Sequence, residues 1–197
     1  MLTNINLKHS ENTPLGDRGR IHPHKFTMWV AIGSMVMLFA GLTSAYIVKS
    51  NQDNWITISI PVWFWYSTAV ILISSLTMQM ALRSFKQREM SNYRKLILVT
   101  TALGILFIVF QWFGFRSLWS DNVRFSGAGA GQFLYVIAGL HAIHVMGGIV
   151  ALVMITLKTF FGKTKNYNSV PVEIMKTYWH FVDLLWLYLL VFFIWLG

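Results

Sequence analysis

Five uninterrupted apolar stretches, residues 26–48, 61–82, 96–115, 133–157 and 177–196, constrain this chain more than anything else in it. Crossing about 30 Å of hydrocarbon takes about 20 apolar residues in a helix, and each stretch is of that order. The runs are continuous, so they lack the alternation of a porin-type strand. The expectation is an all-α membrane protein, a bundle of five transmembrane helices. Composition agrees: 55% of the 197 residues are hydrophobic and only 12% are charged, about half the charge of a typical soluble domain.

Charge placement orients the bundle. Lys8, Arg18, Arg20 and Lys25 precede the first span; Arg83, Lys86, Arg88, Arg94 and Lys95 follow the second; Lys158, Lys163, Lys165 and Lys176 follow the fourth. Only Lys49, Arg116 and Arg124 fall on the other side. Cationic loops stay in the cytoplasm, so this asymmetry predicts a cytoplasmic N-terminus and an extracytoplasmic C-terminus. The formal charge of +9 then belongs beside anionic headgroups, and no nucleic-acid partner is expected. Residues 1–25 form a polar cytoplasmic segment without a secretory signal, and residues 26–197 form the membrane domain. Trp55, Trp63, Trp112, Trp119 and Trp195 fall near the outer interface, and Trp29, Tyr93, Tyr178 and Trp179 near the inner one, as aromatic belts do.

Small residues four apart, Ala40/Ser44 and Gly41/Ala45 in the first span and Ala138/Ala142 and Gly147/Ala151 in the fourth, allow close helix approach. Those two helices are expected inside the bundle or against a partner. Gly127–Gly131 lacks the lysine and the preceding strand of a phosphate loop and reads as an extracytoplasmic turn. No internal repeat or pair of broken helices suggests a transporter. With no cysteine in the chain, disulfides, thiolate metal sites and iron–sulfur clusters are excluded.

Six polar side chains fall inside the spans: Gln79, Gln111, His141, His144, His180 and Asp183. Such groups usually face protein and often mark function. At about 1.5 Å per residue, His180, Gln79 and Asp183 lie roughly 5–9 Å from the cytoplasmic helix ends, and His144, His141 and Gln111 roughly 20–24 Å. His180 and Asp183, three apart, share one face and can satisfy each other; a proton relay or a lipid-headgroup site is the functional alternative. His141 and His144 project the same way and cannot clamp one haem from both faces. A hydrogen bond between helices, such as His141 with Gln111, is the better reading. Neither a ligand set nor a base–nucleophile pair emerges, so the chain reads as a scaffold with no catalytic, cofactor or metal residue of its own.

The run Tyr178–Gly197, YWHFVDLLWLYLLVFFIWLG, closely resembles the last helix of subunit III of haem–copper terminal oxidases, where Tyr-Trp-His-Phe-Val-Asp leads into a Trp-rich apolar helix. GLHAIHVMGG, residues 139–148, resembles that family's Gly-x-His-x-x-His-Val motif. The likeness covers residues 24–197, more loosely in the first span. It implies an accessory subunit of a proton-pumping respiratory oxidase of the cytochrome c or quinol type, in its short five-helix bacterial form. Such a subunit packs on the catalytic subunit I among other oxidase subunits, holds phospholipid and sustains proton uptake, while haem and copper sit in partner subunits. The resemblance places it as a multi-pass protein of the bacterial inner (plasma) membrane. His141, His144, His180 and Asp183 match the family and carry over as structural or lipid-contact residues, with Gln79 and Gln111 as further candidates. Ser34-Met35 stands where the family usually has Ser-Glu, so no role of that carboxylate carries over. Longer members have seven helices and a lipid-filled cleft, which here would be absent or completed by another subunit. The small subunit of nitric oxide reductases shares the five-helix pattern and is the nearest alternative; a haem-b electron carrier is a more distant one.

Overall fold

The computed structural model describes residues 23–50, 61–120, 129–161 and 169–196. They form five helices: α1 Pro23–Ser50, α2 Val62–Lys86, α3 Met90–Ser120, α4 Gly129–Phe161 and α5 Val170–Leu196. All five are long and apolar enough to cross a membrane. The segment before Pro23, Trp55, Arg124, Lys163, Lys165 and the first two residues of the expected 127–131 turn lie outside the described residues. The rest of that turn is helical, as the start of α4.

Helix ends reach past the apolar runs because polar groups cap them. Ser169 accepts the Glu173 N–H at its carbonyl (2.9 Å) and donates its hydroxyl to Glu173 Oε1 (3.2 Å), closing the first turn of α5. Between α2 and α3 the reversal is tight. Arg88 sits at φ 61°, the Glu89 N–H reaches Ser84 O (3.0 Å) and the Arg88 N–H reaches Phe85 O (3.1 Å). This is the Schellman pattern that satisfies the last carbonyls of a helix. Glu89 then opens α3, its carbonyl accepting Tyr93 N–H and its carboxylate accepting Asn92 Nδ2.

Helices α2, α3, α4 and α5 close a ring in which each packs on the next, and α1 lies outside it, against α4 and α5. Among the described residues α1 makes no backbone approach to α2 or α3. Of the two places expected for the first helix, inside the bundle or against a partner, the first is therefore corrected. Its Ala40, Gly41 and Ser44 are exposed, and nothing lies within 4 Å of where a Gly41 side chain would begin. The close approaches are elsewhere. A Cβ on Gly104 of α3 would meet Trp179 Cη2 at 3.0 Å, and one on Gly148 of α4 would meet Trp179 Cζ3 at 3.1 Å. The two glycines form a slot that admits the indole.

Trp179 is 0% exposed and Tyr93 is also buried, so neither belongs to an aromatic belt. Both face inward because their helix positions coincide with the packed face. By contrast Met37, Trp112, Phe161 and Trp195 are among the most exposed side chains, an apolar exterior that fits lipid and not water.

Candidate functional site

The polar groups of the interior fall on three inward faces. On α5, residues 179, 183, 186 and 190 recur at helical spacing and all are buried. Trp179 Nε1 donates to Ser74 Oγ (3.1 Å) and Trp186 Nε1 to Thr68 Oγ1 (3.0 Å), both on α2. Between these two ties sits Asp183, 3% exposed, and neither of its carboxylate oxygens has a hydrogen-bond partner among the described residues. The Ser75 hydroxyl of α2 lies within reach of it and bonds to His180 Nδ1.

The expected His180–Asp183 pair is thus not formed. Three residues apart, the two side chains diverge by about 60° around the helix. Asp183 turns inward, while His180 sits half-buried at the edge of the α2 contact. Gln79 is half-buried on α2, one turn from Ser75.

The second expected pair fails for a comparable reason. Gln111 donates through Nε2 to Ser67 Oγ of α2 (3.0 Å), leaving its Oε1 unpartnered. His141 of α4 is buried, both ring nitrogens without a partner among the described residues, its ring stacked on Trp186 at 5.5 Å and 25°. Helix α3 borders both α2 and α4, and Gln111 turns to the α2 side. His144 places Nδ1 at 2.7 Å from Leu140 O in its own helix, and its carbonyl accepts Tyr178 Oη–H (2.9 Å). Its ring meets Phe39 of α1 edge-on at 5.9 Å.

Hydroxyl pairs complete the interior: Thr77 with Thr100 (2.9 Å) joins α2 to α3, and Thr101 with Thr156 (3.0 Å) joins α3 to α4. Thr43 with Tyr188 (3.0 Å) joins α1 to α5. Among the described residues no three of His, Asp or Glu gather where a metal ion could sit. Bonds of this kind in membranes contribute about 0.6 kcal/mol each on average, so the set ties neighbouring helices together.

One cluster escaped the sequence reading. Glu173, at the start of α5, takes Lys25 of α1 at 2.6 Å and Lys86 of α2 at 3.0 Å. The signal was an isolated carboxylate at the lysine-rich end of the spans, facing cations far away in sequence. Trp179 and Trp186 were likewise legible, as two indoles seven apart flanking the only carboxylate inside the spans.

Residues 23–197 match the protein family described as cytochrome c oxidase subunit III. Among curated relatives, a probable cytochrome c oxidase subunit 3 of Nocardia farcinica is 27% identical over 184 residues, covering 85% of this chain and 88% of the relative. A cytochrome c oxidase subunit 3 of Bacillus sp. PS3 is 24% identical, covering 82% and 80%. A probable quinol oxidase subunit 3 of Staphylococcus epidermidis is 26% identical over 122 residues, covering 62% and 61%.

Proposed function

The chain belongs to the cytochrome c oxidase subunit III family, and from that premise we propose that it is the accessory subunit of a proton-pumping haem–copper oxidase in a bacterial plasma membrane. It supports subunit I, holds phospholipid at the contact and sustains proton uptake, while haem and copper reside in the partner subunits. The N-terminus faces the cytoplasm and the C-terminus the outside.

One observation carries this reading beyond the family. The interior indoles and hydroxyls join helices: each buried indole in the 179–186 pair ends on an α2 hydroxyl, and hydroxyls pair across three further helix contacts. A bundle built this way is a rigid support for a neighbour. His141, His144, His180, Asp183, Gln79 and Gln111 act in it as structural and lipid-contact residues.

The test is purification of a tagged chain from its native membrane in mild detergent, with mass spectrometry of the companions and a visible spectrum. The expected result is co-purification of an oxidase catalytic subunit and a reduced-minus-oxidised haem spectrum that follows that subunit. A chain that purifies without oxidase subunits, or that keeps a stoichiometric chromophore once they are stripped away, overturns the reading.

A further inference from the structure

Two observations on the Asp183 carboxyl converge. The first is its isolation. It is 3% exposed, and neither oxygen has a hydrogen-bond partner among the described residues. No cation stands beside it on the neighbouring helices. On α2 nothing between Ser67 and Leu82 carries a charge, and on α1 nothing between Phe26 and Ala45 does. Lys25 and Lys86 are held at Glu173, ten residues or about 15 Å earlier along α5. Helix α3 has no titratable group from Ile97 to Gln111. On α4 the titratable groups at this depth are His141, stacked on Trp186, and His144, whose Nδ1 lies against Leu140 O. On α5 itself they are His180 and, two turns before Asp183, Lys176. A carboxylate taken out of water needs a cation or several donors, and without them it takes up a proton instead. The neutral acid is the form this site accommodates.

The second observation is a way out for that proton. The Ser75 hydroxyl lies within reach of the carboxyl and shares a hydrogen bond with His180 Nδ1. The imidazole is half-buried, and its Nε2 is left for exchange. Helices α1 and α2 both pack on α5 without approaching each other, and Leu184, one turn beyond His180, is 66% exposed. His180 therefore borders an open strip of α5. A hydroxyl and an imidazole each donate and accept, so the three side chains form a continuous path from the buried carboxyl to that strip.

We propose that Asp183 is an internal proton-holding site that fills and empties through Ser75 and His180. In filling, His180 Nε2 takes a proton at the open strip and Nδ1 releases one to Ser75 Oγ. Ser75 passes its own hydrogen to a carboxylate oxygen of Asp183. One proton enters, one is stored as the carboxylic acid, and the imidazole ends as its other tautomer. In emptying, the same steps run backwards. The proton is the only ligand, and no other bond changes. The use of the site rests on the proton-uptake reading above, but its chemistry does not. The measurement is made on the chain alone, so the proposal can fail while the subunit assignment stands.

Infrared spectroscopy of the purified full chain in detergent reads the site. A neutral carboxyl has a C=O stretch separate from those of amides and carboxylates, and the band shifts when deuterium replaces the proton. At neutral pH the native chain should show this band, and Asp183→Asn should lack it, with Asp183→Leu as a second variant. Moved into heavy water, the native chain should shift the band. Ser75→Ala and His180→Ala should each keep the band and slow its shift about a hundredfold, the contribution of one positioned proton-transfer group. Imidazole added to His180→Ala, and Ser75→Thr in place of Ser75→Ala, should restore most of the rate. Helicity by circular dichroism certifies each variant as folded. Absence of the band in the native chain, or an unaltered rate in both Ser75→Ala and His180→Ala, would overturn the proposal. So would slowing that imidazole fails to relieve, which would leave His180 a packing role alone.

Discussion

A carboxyl group buried without a hydrogen bond is a cost to the fold, and Asp183 is in that position. The one hydroxyl within its reach, Ser75, keeps His180 Nδ1 as a partner when the carboxyl is removed. Asp183→Leu should therefore leave thermal stability in detergent unchanged or raise it by about 1 kcal/mol, since apolar replacement of an unsatisfied polar group is neutral or stabilising. A drop of several kcal/mol would mean that the carboxyl has a partner missing from the isolated chain. The same variant should loosen retention in the oxidase complex if Asp183 serves the partner, so the two measurements separate fold from function. At Trp179 the logic reverses. Gly104→Ala and Gly148→Ala each drive a methyl to about 3 Å from a rigid indole and should destabilise by about 1–3 kcal/mol, measured as a lowered melting temperature. The importance of Asp183 was legible from the sequence, as a lone carboxylate inside an apolar run. Its partners were not, because spacing along one helix says nothing about which hydroxyl a second helix brings. Ser75 is 105 residues from His180, and that juxtaposition depends on how α2 and α5 cross.

At the scale of elements, hydropathy located the five helices but understated their lengths, because caps and not apolarity decide where a helix stops. The α2–α3 reversal shows this. Arg88 holds a left-handed conformation that glycine adopts without strain. Arg88→Gly should stabilise the bundle by about 0.5–1 kcal/mol, visible as a higher melting temperature; a lower one would mean that the Arg88 side chain contributes more than its backbone costs. Helix α1 illustrates the opposite limit. Its small residues suggested a place inside the bundle or against a partner, and small residues on an exposed face look the same in sequence as small residues in a tight internal contact. What ties its N-terminal end is the ion pair Lys25–Glu173. Glu173→Gln removes the charge that gathers Lys25 and Lys86, and the gap between α1 and α2 should widen. The chain has no native cysteine, so spin labels on Phe26→Cys and Met80→Cys report that gap directly. A longer, broader distance distribution in the variant is expected; an unaltered one would show that α1 is held by its other contacts, Tyr46 on Phe192 and Phe133, Phe39 on His144 and Thr43 on Tyr188.

For the molecule as a whole, an odd number of crossings forces the two ends of the bundle to opposite sides of the membrane. Which end faces the cytoplasm is decided by charge. Translocating a lysine- or arginine-rich loop is opposed, and thirteen of the sixteen Lys and Arg lie in the N-terminal segment and the loops after the second and fourth spans. The same side gathers Glu173, Lys25 and Lys86. The cytoplasmic leaflet carries the anionic lipids, and a reversed bundle would turn that lysine-rich end away from them. Alkaline phosphatase folds only outside the cytoplasm, which makes it a reporter of side. Fused after Gly197 it should be active, and fused after Gln87 in the α2–α3 turn it should be inactive. Activity at Gln87 would invert the bundle and with it the proposed contact to the proton-uptake side of the catalytic subunit, while leaving membership of the family untouched.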